Sequence, residues 1–363
     1  MEFGIFSNQQ RHSNDVTKSW REDIDEVVLC DQLGYQQAWI SEHAGLPYLK
    51  DGLATSDHMI ARMAGLTEQI RFGPAIRRLA LYQPVQAAVE MASMDHLLEG
   101  RYMYGYGHGG PISGYDQRGI RFEDTHEMLV EAMDLIIRCV QETEPFDYDG
   151  KFYHGKNINT WPKPLQKPYP PTWLASNTPS LIQGAASKGH NFFLSQFARP
   201  RTVDRLGGIF NDACLAAGRG PSRHRCTALH AVFVAESDEV AEAQLAPGFR
   251  EHLEFNKKYF APVFNDWIPA GGTLDDVTYE SLIADGLIWV GSAATVVDQI
   301  RAFYEESGGF GCLLLIAGKN WGTWDQRQRS FEMFAEQVAP HLRDLHPDGP
   351  VAESTAPRAL ARP

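Results

Sequence analysis

Three observations predict a (β/α)8 TIM barrel with insertions. Short β-prone runs alternate with amphipathic helical stretches along most of the chain. Eight such runs can be counted, the number of strands that closes this barrel. The chain has 363 residues, more than the roughly 250 of a typical barrel, so insertions are expected. The same alternation is compatible with an open, doubly wound sheet, which is the competing architecture.

The first half of the chain supplies four strands and four helices. The strands are predicted at 2–6, 38–41, 70–76 and 101–107. The helices are expected at 20–33, from about 56, from 84 to 100 and at 122–140, because their apolar residues recur with helical spacing. Gly34 is well placed to end the first helix.

The second half repeats the alternation around two interruptions. Further strands are predicted at 172–176, 191–195, 228–234 and 312–317, with helices at 179–188, 203–217 and 293–306. A proline-rich excursion containing the hairpin-like FDYDGKFY occupies 145–171, and a mostly helical insertion occupies 235–287. The barrel domain is therefore expected to span 1–345, followed by a disordered tail at 346–363 that is rich in Pro, Ala and Arg.

Composition excludes several classes of protein. Lys and Arg total 33 against 46 Asp and Glu, a net charge of −13. Because this acidic chain lacks a basic stripe, nucleic acid is not an expected partner. No signal peptide and no apolar stretch of ~20 residues is present, so a cytoplasmic protein without a membrane partner is predicted. Five scattered cysteines fit a reduced compartment.

Strand ends provide the first candidate site residues, because barrel enzymes place their chemistry at the carboxyl ends of the strands. His43 follows the second strand, where an imidazole can bind a ligand or move a proton near pH 7; a structural histidine is the alternative. Arg77 and Arg78 end the third strand, so alternation points one of them into the barrel mouth. Arg77 is our candidate for binding an anionic group, and a surface salt bridge is the alternative.

Gly105, Gly107 and Gly110 form a GxGxxG motif directly after the fourth strand. A dinucleotide-binding motif of this kind should open a helix, whereas the following PISGYDQRG is typical of a loop. We therefore interpret the glycines as room for a flat ligand or as a flexible loop.

Motifs of several common enzymes are absent from the sequence. His126 and Glu127 begin an HExxH pattern, but Val130 occupies the second histidine position, so no zinc site is expected. Neither a GxSxG elbow nor a GxxxxGK phosphate loop is present.

The segment ASNTPS joins the fifth strand to a helix and is rich in hydroxyl and amide groups. Free backbone N–H groups and the positive end of the helix dipole attract phosphate there. Ordinary helix capping explains the same residues. The candidates are Ala175, Ser176, Asn177, Thr178 and Ser180.

Several segments, taken in order and spacing, resemble the bacterial-luciferase-like flavin monooxygenases over about residues 1–345. The segments are EFGIF, DEVVLCDQLGYQQAWISEHAG, IRFGPAIRRLALYQPVQAAVEMASMDHLLEGRYMYGYGHGG, PPTWLASNTPS and VGSAATVVDQIRAFYEESGG. The resemblance implies a (β/α)8 barrel that receives reduced FMN from a separate flavin reductase. It further implies that the flavin reacts with O2 and that a small organic substrate is oxygenated.

The resemblance also implies roles for individual residues. His43 falls on the family's active-site histidine, which acts in proton transfer or in stabilising the peroxide. Ala75 and Ile76 fall on a non-prolyl cis peptide beneath the flavin ring. Ser176, Asn177, Thr178 and Ser180 fall on the family's phosphate loop.

Two departures from luciferase affect the cofactor site. His108 and His126 replace arginines near the flavin phosphate, which leaves fewer permanent positive charges. Gly107 replaces a reactive cysteine, so no thiol role is expected.

The leading hypothesis is an FMN-dependent two-component monooxygenase acting on a small, largely apolar cyclic or heterocyclic compound. Hydroxylation and Baeyer–Villiger insertion both remain open. The expected lining is aromatic and includes Tyr104 and Phe193, and our candidate substrate contacts are Arg77, Tyr106, Phe197 and Trp321.

Two alternatives and one assembly expectation accompany this hypothesis. One alternative is hydride transfer by the deazaflavin F420, although the acidic composition disfavours that cofactor's acidic tail. The other is a non-catalytic flavin-binding barrel. A homo-oligomer is expected because barrels of this family commonly self-associate.

Overall fold

A computed structural model describes residues 1–7, 15–42, 55–109, 113–260 and 266–349. Twelve strands lie within these ranges: β1 Glu2–Ser7, β2 Gln37–Ile40, β3 Arg71–Pro74, β4 Arg77–Arg78, β5 Tyr104–Gly107, β6 Phe146–Asp149, β7 His154–Ile158, β8 Thr172–Ala175, β9 Asn191–Phe193, β10 Cys226–Val234, β11 Ile288–Gly291 and β12 Cys312–Ala317.

Eleven α-helices lie within the same ranges. They are α1 Val16–Gln32, α2 Ser56–Ala64, α3 Pro84–Leu97, α4 Ser113–Asp116, α5 Thr125–Gln141, α6 Pro179–Lys188, α7 Pro200–Ala216, α8 Asp238–Phe260, α9 Tyr279–Ala284, α10 Ala293–Glu306 and α11 Trp324–Met333. Of the helices in this part of the chain, none is both long and apolar enough to cross a membrane.

The strands form a closed parallel barrel, which confirms the predicted fold over the open sheet. Hydrogen-bonded neighbours follow the order β3-β2-β1-β12-β10-β9-β8-β5-β4, with β11 beside β10. The third predicted strand closes the ring because it is split: β3 pairs with β2, and β4 pairs with β5. The Phe72 N–H donates to the Arg101 carbonyl at 2.9 Å. The Phe72 carbonyl accepts from the Met103 N–H at 2.7 Å, and these two bonds complete the closure.

Two local differences from the sequence prediction stand out, and one local prediction is confirmed. β11 is an additional parallel strand against the end of β10, in a stretch assigned neither strand nor helix above. The predicted hairpin is present as the antiparallel pair β6 and β7. Asp348 accepts hydrogen bonds from the backbone N–H groups of Arg223 and His224 at 3.1 and 2.7 Å. The packed chain therefore reaches at least Gly349, beyond the predicted boundary at 345, and residues 350–363 lie outside the described ranges.

Alternation along the strands separates two apolar layers. On β10, Leu229 and Phe233 join a cluster inside the barrel, while Ala228 and Val232 join the layer beneath the helices. The inner layer, called here the interior cluster, contains Phe6, Trp39, Met103, Trp173, Phe193, Phe197, Leu229, Phe233, Ile316 and Trp321. The interior is thus packed with large aromatic side chains, as is usual for the filled core of such barrels.

Candidate active site

The peptide bond between Ala75 and Ile76 is cis and lies between β3 and β4. The resemblance described above implied a cis bond at this position. Both side chains pack against the interior cluster. The break in the third strand therefore lies on the inner side of the barrel.

Aromatic rings fill the barrel beside this break. The Trp39 ring meets Trp173 and Phe193 edge-on, with centroid distances of 5.0 and 4.6 Å. Phe197, one of the predicted substrate contacts, packs edge-on against Trp267 at 4.8 Å. This wall provides an apolar, nearly charge-free surface.

Trp321, another predicted substrate contact, joins the same wall after β12. Its ring lies 4.9 Å from that of Phe249 on α8 and 5.5 Å from that of His252. The close approach of α8 depends on Gly248, where an added Cβ would lie 1.6 Å from the Asn320 carbonyl oxygen. The helical insertion thus brings α8 against the loop that carries Trp321, and sequence reasoning gave no sign of this contact.

The glycines of β5 face inward, and protein atoms fill the space that a side chain at Gly105 or Gly107 would take. A Cβ at Gly105 would lie 2.2 Å from the Pro74 carbonyl oxygen. A Cβ at Gly107 would lie 2.6 Å from both the Ala175 carbonyl oxygen and Ile76 Cδ1. The interpretation of these two glycines as room for a flat ligand is therefore wrong, because neighbouring strands occupy that space.

Tyr106 points outward, which corrects its assignment as a substrate contact. Its hydroxyl lies 2.6 Å from His190 Nδ1, in the layer beneath the helices. Tyr104 belongs to the same outer layer, where its ring packs edge-on against Tyr102 at 6.4 Å. Strand alternation places both tyrosines on the face opposite the glycines.

Arg77 also points outward and is not available to a substrate. It lies beside Tyr106 in the parallel register of β4 and β5. Its guanidinium forms an ion pair with Asp57 and lies 3.5 Å from Glu42 and 3.6 Å from Glu90. Only 2% of the side chain is exposed. The prediction that Arg77 binds an anionic ligand is therefore wrong, because three protein carboxylates surround it.

The same ion cluster fixes the end of β2. Glu42 accepts hydrogen bonds from Ser56 Oγ at 2.8 Å and from the Tyr82 hydroxyl at 2.6 Å. Burial raises the pKa of Glu42 above its ordinary value, although Arg77 opposes the rise. His43 is the next residue in the chain and lies outside the described residues. Its predicted catalytic role therefore stays a prediction.

Arg78 occupies the inward position that sequence reasoning gave to Arg77. It lies beside Gly107 in the strand register, and its guanidinium stacks on the Tyr115 ring at 4.3 Å. Gly109 approaches it closely, since an added Cβ there would lie 2.7 Å from Arg78 Cγ. The two arginines are adjacent, so they face opposite sides of the strand. The sequence alone does not show which of them faces inward.

His108, which follows β5, and His126, in the first turn of α5, lie against each other. Their ring centroids are 4.5 Å apart, and His108 Nε2 lies 2.6 Å from Thr125 Oγ1. Burial, with smaller contributions from His126 and Arg78, lowers the pKa of His108 to about 4. The imidazole is therefore neutral at pH 7, and Arg78 is the permanent positive charge beside it.

The segment Ala175–Ser180, called here the donor loop, connects β8 to α6. Ser176 Oγ accepts a hydrogen bond from the Thr178 backbone N–H at 3.1 Å, and Asn177 Oδ1 accepts one from Ser195 Oγ at 2.5 Å. Thr178 is the N-cap residue of α6, but its side chain makes no capping hydrogen bond. Because β8 pairs with β5, the donor loop and the His108 loop follow neighbouring strands.

Comparison with known proteins places this geometry in a family. Residues 1–310 match the family model described as luciferase-like monooxygenase. The chain belongs to the luciferase-like monooxygenase family. This result confirms the resemblance and the prediction that the protein is an enzyme of this class.

Individual relatives agree with this assignment. The chain is 27% identical to limonene 1,2-monooxygenase of Rhodococcus erythropolis, over 96% of this chain and 88% of that protein. It is 26% identical to the oxygenase component of the flavin-dependent trigonelline monooxygenase of Acinetobacter baylyi, over 85% and 87%. The fold matches the oxygenating constituent of 3,6-diketocamphane monooxygenase of Pseudomonas putida in complex with FMN, with a TM-score of 0.82. That match has 24% identity and covers 94% of this chain and 98% of the other.

Proposed function

We propose that this luciferase-like monooxygenase is the FMN-dependent oxygenase of a two-component system. Its substrate would be a small, largely apolar cyclic or heterocyclic compound. One oxygen atom of O2 enters the substrate and the other becomes water, with reduced FMN as the two-electron donor. The observation that carries the proposal is an aromatic barrel interior with a hydroxyl-rich loop and an arginine at its rim.

The residues at the rim fit the phosphate of a flavin. The donor loop offers the hydroxyls of Ser176, Thr178 and Ser180 at the start of a ten-residue helix. Backbone N–H groups in the first turn of a helix, together with its dipole, favour an anion. Arg78 on β4, His108 after β5 and His126 on α5 would complete the site, with Arg78 supplying a permanent positive charge that the neutral His108 lacks.

The aromatic inner side of the barrel fits the flavin ring and an apolar substrate. Ala75 and Ile76 would support the flat ring system of the cofactor, which activates O2 once it is bound and reduced. Phe197 and Trp321 would contact the substrate and exclude water from it. An apolar wall of this kind favours cyclic hydrocarbons and ketones over charged compounds.

His43 is proposed to move or hold a proton beside the flavin. Glu42, the residue before it, is fixed by Arg77, Tyr82 and Ser56, so the chain enters this position from a rigid point. An imidazole with an ordinary pKa near 6.5 suits proton transfer at neutral pH. A His43→Ala variant should abolish oxygenation while leaving the far-ultraviolet circular dichroism spectrum unchanged. Unchanged turnover in this variant would remove His43 from catalysis.

Oxygenation can be tested without knowing the natural reductase. FMN is photoreduced under argon and mixed with the protein and limonene or a diketocamphane; 18O2 is then admitted. The expected product carries one 18O atom, and it forms without a reductase protein because reduced FMN is supplied freely. A product without label would contradict the proposal.

The same experiment separates the deazaflavin alternative. Reduced F420 is added under argon in place of reduced FMN and O2. Substrate consumption there, together with no oxygenation by FMN, would identify hydride transfer instead. Assembly with a reductase and self-association both stay predictions, and size-exclusion chromatography with light scattering measures each directly.

A further inference from the structure

The register of three neighbouring strands brings an arginine and a histidine to one point of the barrel rim. Gly107 pairs with Arg78 on β4 and with Ala175 on β8, so His108 follows Gly107 directly beside the donor loop. Adjacent strands lie about 4.8 Å apart. An anion held by the donor loop therefore lies next to the segment that carries His108.

The neutral His108 ring carries its proton on Nε2. Thr125 Oγ1 lies 2.6 Å from the Phe122 carbonyl oxygen, which has no proton to give, so the Thr125 hydroxyl donates in that bond. The same hydroxyl lies 2.6 Å from His108 Nε2 and must accept there, because a hydroxyl has a single proton. Nδ1 is therefore the nitrogen that takes up a proton when the ring becomes charged.

The surroundings of His108 oppose that charge as long as no anion is bound. Facing the ring are Arg78 from β4, Tyr115 from α4 and His126 from α5, and none of these described neighbours is a carboxylate. Phe122 covers one edge of the ring at 4.8 Å. Burial, followed by His126 and Arg78, lowers the pKa of His108 to about 4. A phosphate dianion beside the ring acts in the opposite direction, because a nearby opposite charge favours the protonated form.

We propose that FMN binding is coupled to protonation of His108: a proton from the solvent moves to Nδ1 as the flavin phosphate binds, and affinity for the cofactor rises as the pH falls. The inference rests on the proposed function, because it takes the flavin phosphate as the anion at the donor loop. An arginine at this position would carry its charge at every pH, whereas the histidine acquires its charge only together with the phosphate.

The test compares the natural chain with His108→Gln under argon. Glutamine keeps an N–H group for Thr125 Oγ1 but does not titrate. Each protein is titrated with reduced FMN at pH 8 and at pH 6, and ionisation of the ligand itself is the same for both. Return of the His108 pKa to its ordinary value near 6.5 tightens binding about fourfold between these two pH values. The dissociation constant of the natural chain should therefore fall at least about fourfold more than that of the variant.

Proton uptake provides a readout independent of affinity. Calorimetry at pH 6.5, in two buffers of different ionisation enthalpy, should show about half a proton more taken up per bound FMN by the natural chain than by His108→Gln. His126→Gln is the matched control on the facing ring and should retain the uptake. In the natural chain labelled with 15N, reduced FMN at pH 6 should move the His108 Nδ1 resonance towards that of a protonated nitrogen.

The outcomes distinguish this inference from the proposed function. The inference alone is overturned if reduced FMN binds the natural chain and His108→Gln with the same pH dependence and proton uptake, or if His126→Gln rather than His108→Gln abolishes the uptake. An Nδ1 resonance that stays unprotonated in the FMN-bound natural chain overturns it as well. A natural chain that binds no reduced FMN at either pH would contradict the proposed function and this inference together.

Discussion

The two faces of β4 and β5 differ sharply in what they carry. Arg77, Tyr104 and Tyr106 project outward, where helices and their side chains supply hydrogen-bond and ion-pair partners. Gly105 and Gly107 face inward, where neighbouring strands leave no room for a side chain. Arg78 alone among these strand residues brings a charge to the inner side, at the mouth.

The comparison shows that position at the end of a strand does not by itself make a residue part of the site. Outward polar residues at the carboxyl edge hold loops in place, as Arg77 holds Glu42. Inward residues define the space in which a cofactor and a substrate fit. Substitutions on the two faces should therefore affect different properties.

The largest expected effect is on stability, from Arg77→Ala. Removing the guanidinium leaves the carboxylates of Glu42 and Asp57 buried without their cation, and breaking a buried pair in this way costs about 3–5 kcal/mol. Urea unfolding measures the loss. Arg78→Ala is the matched control and should cost clearly less, because Arg77 lies among three carboxylates whereas the Arg78 guanidinium stacks on the Tyr115 ring. Equal losses of unfolding free energy in the two variants would show that Arg77 does not stabilise the fold more than Arg78 does.

A smaller effect on stability is expected from replacing two glycines, Gly105 and Gly184, that differ in the space around them. Gly105→Ala should destabilise the protein by about 1–3 kcal/mol, since the added methyl group meets a backbone oxygen of the neighbouring strand. Gly184→Ala should stabilise it by up to about 1 kcal/mol through improved helix propensity. The two midpoints of thermal unfolding should therefore move in opposite directions. Movement in the same direction would mean that the packing at one of these glycines is misassigned.

Acid stability provides a third test on the outer face of β10. His230 is fully buried against Trp289, with ring centroids 4.3 Å apart, and burial lowers its pKa to about 3. The unfolded chain binds a proton at this residue near pH 6.5, before the folded chain does, so folding stability falls as the pH drops below that value. Between pH 7 and pH 5 this amounts to roughly 2 kcal/mol.

A His230→Phe variant removes that titration while keeping an aromatic ring. Its free energy of unfolding should fall about 2 kcal/mol less between pH 7 and pH 5 than that of the natural chain. The lowered pKa values of His108 and His190 act in the same direction, but both remain in the two proteins and cancel in the difference. If the free energies of unfolding of the two proteins depended identically on pH, the pKa of His230 would not be lowered by folding.

The sequence predicted most of the architecture because alternation of strands and helices is a local signal. All eight barrel strands were found, and so was the loop before α6, whose hydroxyl and amide residues follow directly after a strand. β11 was missed because the apolar run Ile288–Gly291 lies between a helical insertion and α10. A short apolar run of that kind cannot be told from helix by period alone.

The errors at the site came from the phase of the alternation. Tyr104 and Tyr106 are aromatic and lie near the carboxyl end of a strand, so the sequence suggests that they line a pocket. Their direction depends on the register between β5 and its neighbours and on the crowding around Gly105, which are properties of the assembled barrel. The same reason explains why Arg77 and not Arg78 was predicted to face inward. The contact between Gly248 and Asn320 likewise joins segments about 70 residues apart in sequence.

Anaerobic titration with reduced FMN tests most directly whether the cofactor binds on the inner side of these strand ends. Arg78→Ala and the double variant Ser176→Ala, Thr178→Ala should each weaken binding at least about tenfold, because each removes hydrogen bonds or charge from the phosphate. Tyr106→Phe, which alters only the outer face, should bind within about twofold of the natural chain. The account would be contradicted if Tyr106→Phe weakened reduced FMN while Arg78→Ala and the donor-loop variant bound it normally.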